Sequence, residues 1–228
     1  MKNFRSLMVA LALVAGSLVA QGSVAATLTT GSVIQLADSY GNTGGGEFIA
    51  TVTGAPADTF LTFCLEKNEY FTPGQNLYVK AVNTAAVNGG VGGPNPDPIS
   101  AQTAYLYTMF RAGTLSGYDF VGTGATRVAS ANSFQKAIWY LEEEITYGET
   151  DAQAQAWITA ANTAVSSSAW TGIGNVRVLN LYQDANFTTR AQDQLYLLPV
   201  PEPEIYAMMG LGLGLLGWVG RRRKLQAA

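Results

Sequence analysis

Thr59-Phe-Leu-Thr-Phe-Cys-Leu65 holds no glycine, proline or charge. It is built from β-branched, aromatic and aliphatic side chains, the composition of a strand. Working outward, Glu47-Phe-Ile-Ala-Thr-Val-Thr53 and Asn76-Leu-Tyr-Val-Lys-Ala-Val82 read the same way, and 27–36 alternates more loosely. Gly-, Pro- and Asn-bearing turns separate these runs. The first half of the chain is therefore expected to be strands.

The period then changes. Pro98-Ile99-Ser100 predicts the cap of a helix that runs to Arg111, with Gly113 just past its end. Phe134, Ala137, Ile138, Leu141 and Ile145 recur at helical spacing. So do Ala154, Trp157, Ile158, Ala161 and Val165, behind a Thr150-x-x-Gln153 capping box. Strands return at Asn175–Tyr182 and Gln194–Leu198. Gly89-Gly-Val-Gly-Gly93 runs into Pro94-Asn-Pro-Asp-Pro98 and lacks the Lys-Ser/Thr of a phosphate loop, so it reads as a long surface loop. Strands, two or three helices, then strands predict an α+β domain over 27–198: a β-sandwich or barrel with a helical insertion.

Both ends carry sorting signals. Lys2 and Arg5 precede an uncharged apolar stretch, 7–19, and Ser23-Val24-Ala25-Ala26 offers cleavage after Ala25 or Ala26. Residues 1–26 thus read as a cleavable signal peptide, a substrate of signal peptidase, with an uncleaved anchor as the alternative. At the other end, 199–204 is a proline-rich linker that can be neither helix nor central strand. The uncharged run 205–220 follows, 16 residues against the roughly 20 of a full span, so it crosses a membrane as a helix only with help from snorkelling flanks. Arg221-Arg222-Arg223-Lys224 closes it, and the basic tail 221–228 is expected to stay cytoplasmic. Gly210-x-x-x-Gly214 offers a helix-packing face, although glycines are common in spans.

Pro201-Glu202-Pro203, the apolar helix and Arg221-Arg222-Arg223 together resemble the PEP-CTERM sorting signal. That resemblance implies processing by an exosortase, a membrane cysteine protease, in Gram-negative bacteria that make exopolysaccharide. The implied location is the inner membrane during sorting, then the cell surface or extracellular matrix.

Composition narrows the chemistry of the central domain. Residues 27–200 hold seven Lys/Arg and fourteen Asp/Glu, a net charge of −7, which does not suit nucleic acid. The chain has no histidine, so His-based acid–base catalysis, Ser-His triads and His metal sites are absent. No nucleophile–base pair, metal site or cofactor motif is visible, and no enzyme activity is expected. Asn186-Phe-Thr188 fits the glycosylation sequon by chance. Glu142-Glu143-Glu144 reads as a solvated face rather than a metal or acid site.

Cys64 is the one cysteine, and an exported protein normally pairs its cysteines. A buried inert thiol, an intermolecular disulfide and a reactive group are all open. Seventy-one residues later stands Phe134-Gln135-Lys136-Ala137-Ile138-Trp139. The aromatic-Cys-aliphatic strand and the Gln-x-Ala-Ile-Trp helix, over 64–147, resemble the bacterial thioester domain of surface adhesins. In that family the Cys sulfur displaces ammonia from the Gln side chain. By that resemblance Cys64 is the thiol partner and Gln135 the acyl partner, while Phe63, Leu65, Ile138 and Trp139 keep water away. On a helix Gln135 would edge the apolar stripe beside Ile138, Trp139 and Glu142. Phe134 stands where family members often carry Thr, and Gln102-Thr-Ala104 is a second, Trp-less candidate.

Two functions follow as expectations. One is a covalent adhesin that bonds once to an amine- or hydroxyl-bearing surface or matrix polymer. The other is a non-covalent matrix protein folded around an inert Cys64, with Gln135 a surface glutamine and Tyr105, Tyr107, Tyr118 and Tyr147 open to sugars.

Overall fold

The computed structural model describes residues 27–199, apart from Asn42, Thr43, Asn88 and Gly89. The signal peptide, the expected membrane helix and the sorting residues Pro201, Glu202, Pro203, Arg221, Arg222 and Arg223 lie outside the described residues. Among the described residues no helix is long and apolar enough to cross a membrane.

The domain is α+β. Strands β1 (Val33–Tyr40), β2 (Glu47–Val52), β3 (Ala55–Thr62) and β4 (Asn76–Asn83) come first. A two-residue ladder, β5 (Ala85–Ala86) with β6 (Asp97–Pro98), clips the base of the glycine-proline loop. Three helices follow: α1 (Ala101–Arg111), α2 (Ala125–Leu141) and α3 (Ala152–Ser166). Strands β7 (Val176–Tyr182) and β8 (Gln194–Leu197) close the chain. The six long strands form one antiparallel sheet in the order β3-β2-β1-β4-β7-β8.

That six-stranded sheet is a curled half-barrel, nearer the barrel than the sandwich of the two expected architectures. The corner lies in the stretch quoted first. Phe60, Leu61 and Thr62 pair with Ala50, Ile49 and Phe48 of β2. The next three residues instead turn to β8, where Leu195 N donates to Phe63 O at 3.1 Å and Leu65 N donates to Asp193 O at 3.1 Å. One strand-like run thus joins the two outer strands of the sheet. The expected strand over 27–36 begins late because Gly31, at φ +88°, and the Ser32 N to Thr29 O bond make a turn there.

Two apolar clusters hold the layers. Ile34, Leu36, Ala50, Leu77, Val79 and Leu181 fill one face of the sheet. Phe63, Tyr107, Phe110, Phe134, Ile138, Trp157, Val178 and Leu195 join the helices to β7, β8 and the end of β3. Burying a large apolar side chain stabilises by about 1.5–3 kcal/mol.

The helix starts are set by caps. Ser100 Oγ accepts from Thr103 N, as the sequence predicts. For α3 the cap is Asp151, whose carboxylate accepts from Ala154 N, and not Thr150. Thr150 Oγ instead donates to Tyr147 O, and the reciprocal capping box sits one turn earlier, between Thr146 and Glu149. The acidic triplet is not a solvated face either. Only Glu143 is exposed; Glu142 takes Ser100 N and Oγ, and Glu144 takes Lys67 N and Val91 N. These carboxylates tie loops to the end of α2. Tyr107 and Tyr118 are buried, which removes them as sugar platforms, while Tyr147 is exposed.

Candidate functional site

Cys64 and Gln135 meet where the half-barrel curls shut. Cys64 faces Gln194 as an antiparallel bridge whose hydrogen bonds are made by the flanking residues. In that pattern the central residue's own N–H and C=O point away from the partner strand. Gln135 meets both. Its Oε1 accepts from Cys64 N at 3.1 Å, and its Nε2 donates to Cys64 O at 2.9 Å. The side-chain amide of a helix residue thus takes the place of a neighbouring strand. Gln135 is fully buried, which removes the surface position expected of it under the non-covalent reading.

A third bond converges on the same amide. Gly46 N donates to Gln135 Oε1 at 3.1 Å. Two backbone N–H groups therefore aim at one carbonyl oxygen, the arrangement of an oxyanion hole. The approach requires a bare backbone at Gly45: a Cβ there would lie 3.0 Å from both Gln135 Cγ and Oε1 and 2.8 Å from Trp139 Cζ2.

The thiol points toward β8. Cys64 Sγ donates to Gln192 Oε1 at 2.8 Å and accepts from Gln194 Nε2 at 3.3 Å. Burial pushes the thiol's pKa far up, and the Gln194 donor offsets only part of this. The thiol therefore rests protonated. Gln192 is fixed in turn, since its Nε2 donates to Glu66 O.

Beneath lies a buried acid pair. Asp193 accepts from Val87 N, Asn180 Nδ2 and Leu181 N, and is the member suited to carry charge. Glu66 Oε2 accepts only from Asp193 N, and Oε1 has no partner among the described residues. Burial first, then the Asp193 charge, pushes Glu66 well above the carboxylate range, so it keeps its proton.

Phe63, Leu65, Ile138 and Trp139, expected to shield the site, are all buried. Phe63 packs edge-on against Phe134 and Phe110 at 4.8 and 5.1 Å. Trp139 Nε1 is buried without a partner among the described residues. Gln102 is not at the site; it bonds Asn162 of α3. Sequence reasoning missed Gly45, Gly46, Gln192 and Gln194. The visible signals were three successive glycines, 44–46, and two glutamines flanking Asp193 at the head of an otherwise apolar strand. Among the described residues no group of three His, Cys, Asp or Glu is placed to hold a metal ion.

Residues 199–224 match the PEP-CTERM protein-sorting motif. No curated protein and no solved structure matches the chain. The motif makes this an exosortase-sorted protein. It implies export, sorting at the membrane with exosortase as partner, and then a surface or extracellular location.

Proposed function

We propose that Cys64 and Gln135 form an internal thioester, and that the exported domain uses it for one covalent attachment to an amine- or hydroxyl-bearing surface or matrix polymer. The observation that supports this reading is the pair of N–H groups, from Gly46 and Cys64, on the Gln135 carbonyl oxygen. An amide carbonyl must be polarised before a thiol can add to it, and one such donor is worth about 10²–10³ in rate.

In the bonding step Cys64 Sγ joins Gln135 Cδ and the Cδ–Nε2 bond breaks. The thiol's proton leaves on the amide nitrogen as ammonia. No net charge is created, so a thiol that holds its proton tightly is compatible with the overall step. The reaction occurs once per chain, which makes this a single-use adhesin and not a turnover enzyme. The buried apolar surround would protect the product from water.

Intact mass tests it. The exported chain is expected one ammonia lighter than calculated, methylamine should add once and leave it one methylene heavier than calculated, and Cys64→Ala or Gln135→Ala should abolish both effects. A full calculated mass with one titratable thiol on denaturation sinks the proposal.

A second reading rests on the same hydrogen bonds. The Gln135 amide and the thiol both have partners, so the seam is stable as a hydrogen-bonded polar network without a covalent bond. The domain would then be a non-covalent matrix protein, and the full mass is its signature.

A further inference from the structure

Three carboxyls meet where the chain after β3 joins the head of β8. Glu66 Oε2 accepts from Asp193 N at 3.1 Å, and Glu69 lies within electrostatic reach of both residues. Glu66 Oε1 and Glu69 Oε2 are buried with no hydrogen-bond partner among the described residues. Compensating charge is thin. Arg190 acts on Asp193 and Glu69, but it is exposed, where solvent screens it. Lys67 turns to Glu149 at 3.0 Å, Cys64 rests protonated, and Glu144 adds a further negative charge toward Glu69.

Carboxyls that crowd a dry site with so few partners settle there by keeping protons. Burial is the first cause that raises all three, and Glu69 is pushed up to about 7. The same residues carry the joint. Leu65 N donates to Asp193 O, Asp193 N to Glu66 Oε2, Gln192 Nε2 to Glu66 O, and Cys64 Sγ to Gln192 Oε1. The bonds that close the seam over Cys64 are therefore made by the acids or by their chain neighbours.

We propose that the joint between 64–69 and the head of β8 is a proton-operated clasp: it is shut while Glu66, Glu69 and Asp193 share protons, and it opens locally, ahead of the rest of the fold, as they lose them. Ionisation is the whole of the step. Each carboxyl gives its proton to solvent, and like charges in a dry site then push 64–69 away from 190–193. Each acid holds its proton more tightly in the closed joint than in the open one. Opening therefore grows as pH rises from the ordinary carboxylate range through about 7. The clasp closes the seam whether or not a bond joins Cys64 to Gln135, so it holds under either reading of that pair.

Amide hydrogen exchange of the full exported chain tests it, corrected for the chemical exchange rate at each pH and repeated in urea below the unfolding midpoint. Leu65, Asp193 and Leu195 amides are expected to exchange through openings that urea hardly affects. Those of β1 should exchange only through urea-sensitive global unfolding. The slope of log opening against pH counts the protons released. Between pH 5 and pH 7 it should exceed about one in the wild type and fall below about one in the double variant Glu66→Gln, Glu69→Gln, which keeps only Asp193. Glu69→Gln alone should lie between. Glutamine keeps the shape and the neutral state of these carboxyls, so the variants are expected to fold. If the three amides of the wild type exchange only together with β1, the clasp is wrong whatever the variants do. If they open locally but the double variant keeps the wild-type slope, these carboxyls do not set the opening and the proposal fails as well.

Discussion

Gln135 satisfies three backbone groups with one amide, and this makes it the most exacting residue of the seam. Gln135→Met would keep the volume but strand two N–H groups and one C=O in a dry site. Each stranded group costs roughly 1–3 kcal/mol, so a loss of at least about 3 kcal/mol is expected. Cys64→Ala removes no backbone partner and should cost less. Urea midpoints of the two variants check the ranking. Cys64 and Gln135 were legible because each stands in a run of distinctive side chains. Gly46 was not, because what it contributes is a backbone N–H, a group every residue except proline carries. Gln192 and Gln194 were not, because a glutamine beside a strand reads as surface until the sheet is known to curl over it.

At the scale of elements, α2 must be set against β2 for Gln135 to reach Cys64. A buried clasp does this. Arg127 Nη2 donates to both carboxylate oxygens of Glu47, at 2.9 and 3.0 Å, and Tyr118 Oη donates to Glu47 Oε2 at 2.5 Å. Glu47→Leu leaves Arg127 buried without its counter-ion, and a loss of about 3–5 kcal/mol is expected. Adding Arg127→Met should recover much of that stability, as read by thermal unfolding. The fraction of chains lacking ammonia should nonetheless stay below wild type, because the clasp positions Gln135. Element types were legible from period and composition; their ends were not. The α3 cap moved from Thr150 to Asp151 because a carboxylate one residue on was the better acceptor for Ala154 N. The sequence left sandwich and barrel open for a different reason: pairing between β8 and 63–65 joins residues some 130 positions apart, which no local pattern records.

For the whole molecule, buried carboxyls set the pH response. Glu69 is pushed up to about 7, by burial first and the Asp193 charge second. Glu66, Asp193, Glu142 and Asp97 are raised as well, each first by burial. An acid with a raised folded pKa holds its proton more tightly folded than unfolded. Its contribution is full below the unfolded value, 4.5 for Glu69, and is lost as pH rises through about 7. Asp119, Glu149 and Asp184 are held low by hydrogen bonds from Thr126, Thr146 and Thr189, and have the opposite sign. Their contribution is lost only as pH falls below the ordinary carboxylate range. The urea midpoint should therefore be higher near pH 5 than near pH 8. A thioester would also close a loop of about 70 residues, worth about 4 kcal/mol. Methylamine treatment should lower the midpoint accordingly, and leave Cys64→Ala unchanged.

The sorting motif begins at residue 199, two positions after β8 ends. Tension on a tethered chain therefore enters the domain through β8. That strand is laced to β7 on one side and to Phe63–Leu65 on the other, so a pull along its length loads both ladders in shear rather than peeling them bond by bond. In a chain held by its C-terminus, the cysteine–glutamine seam would therefore lie beside the first strand to feel the pull.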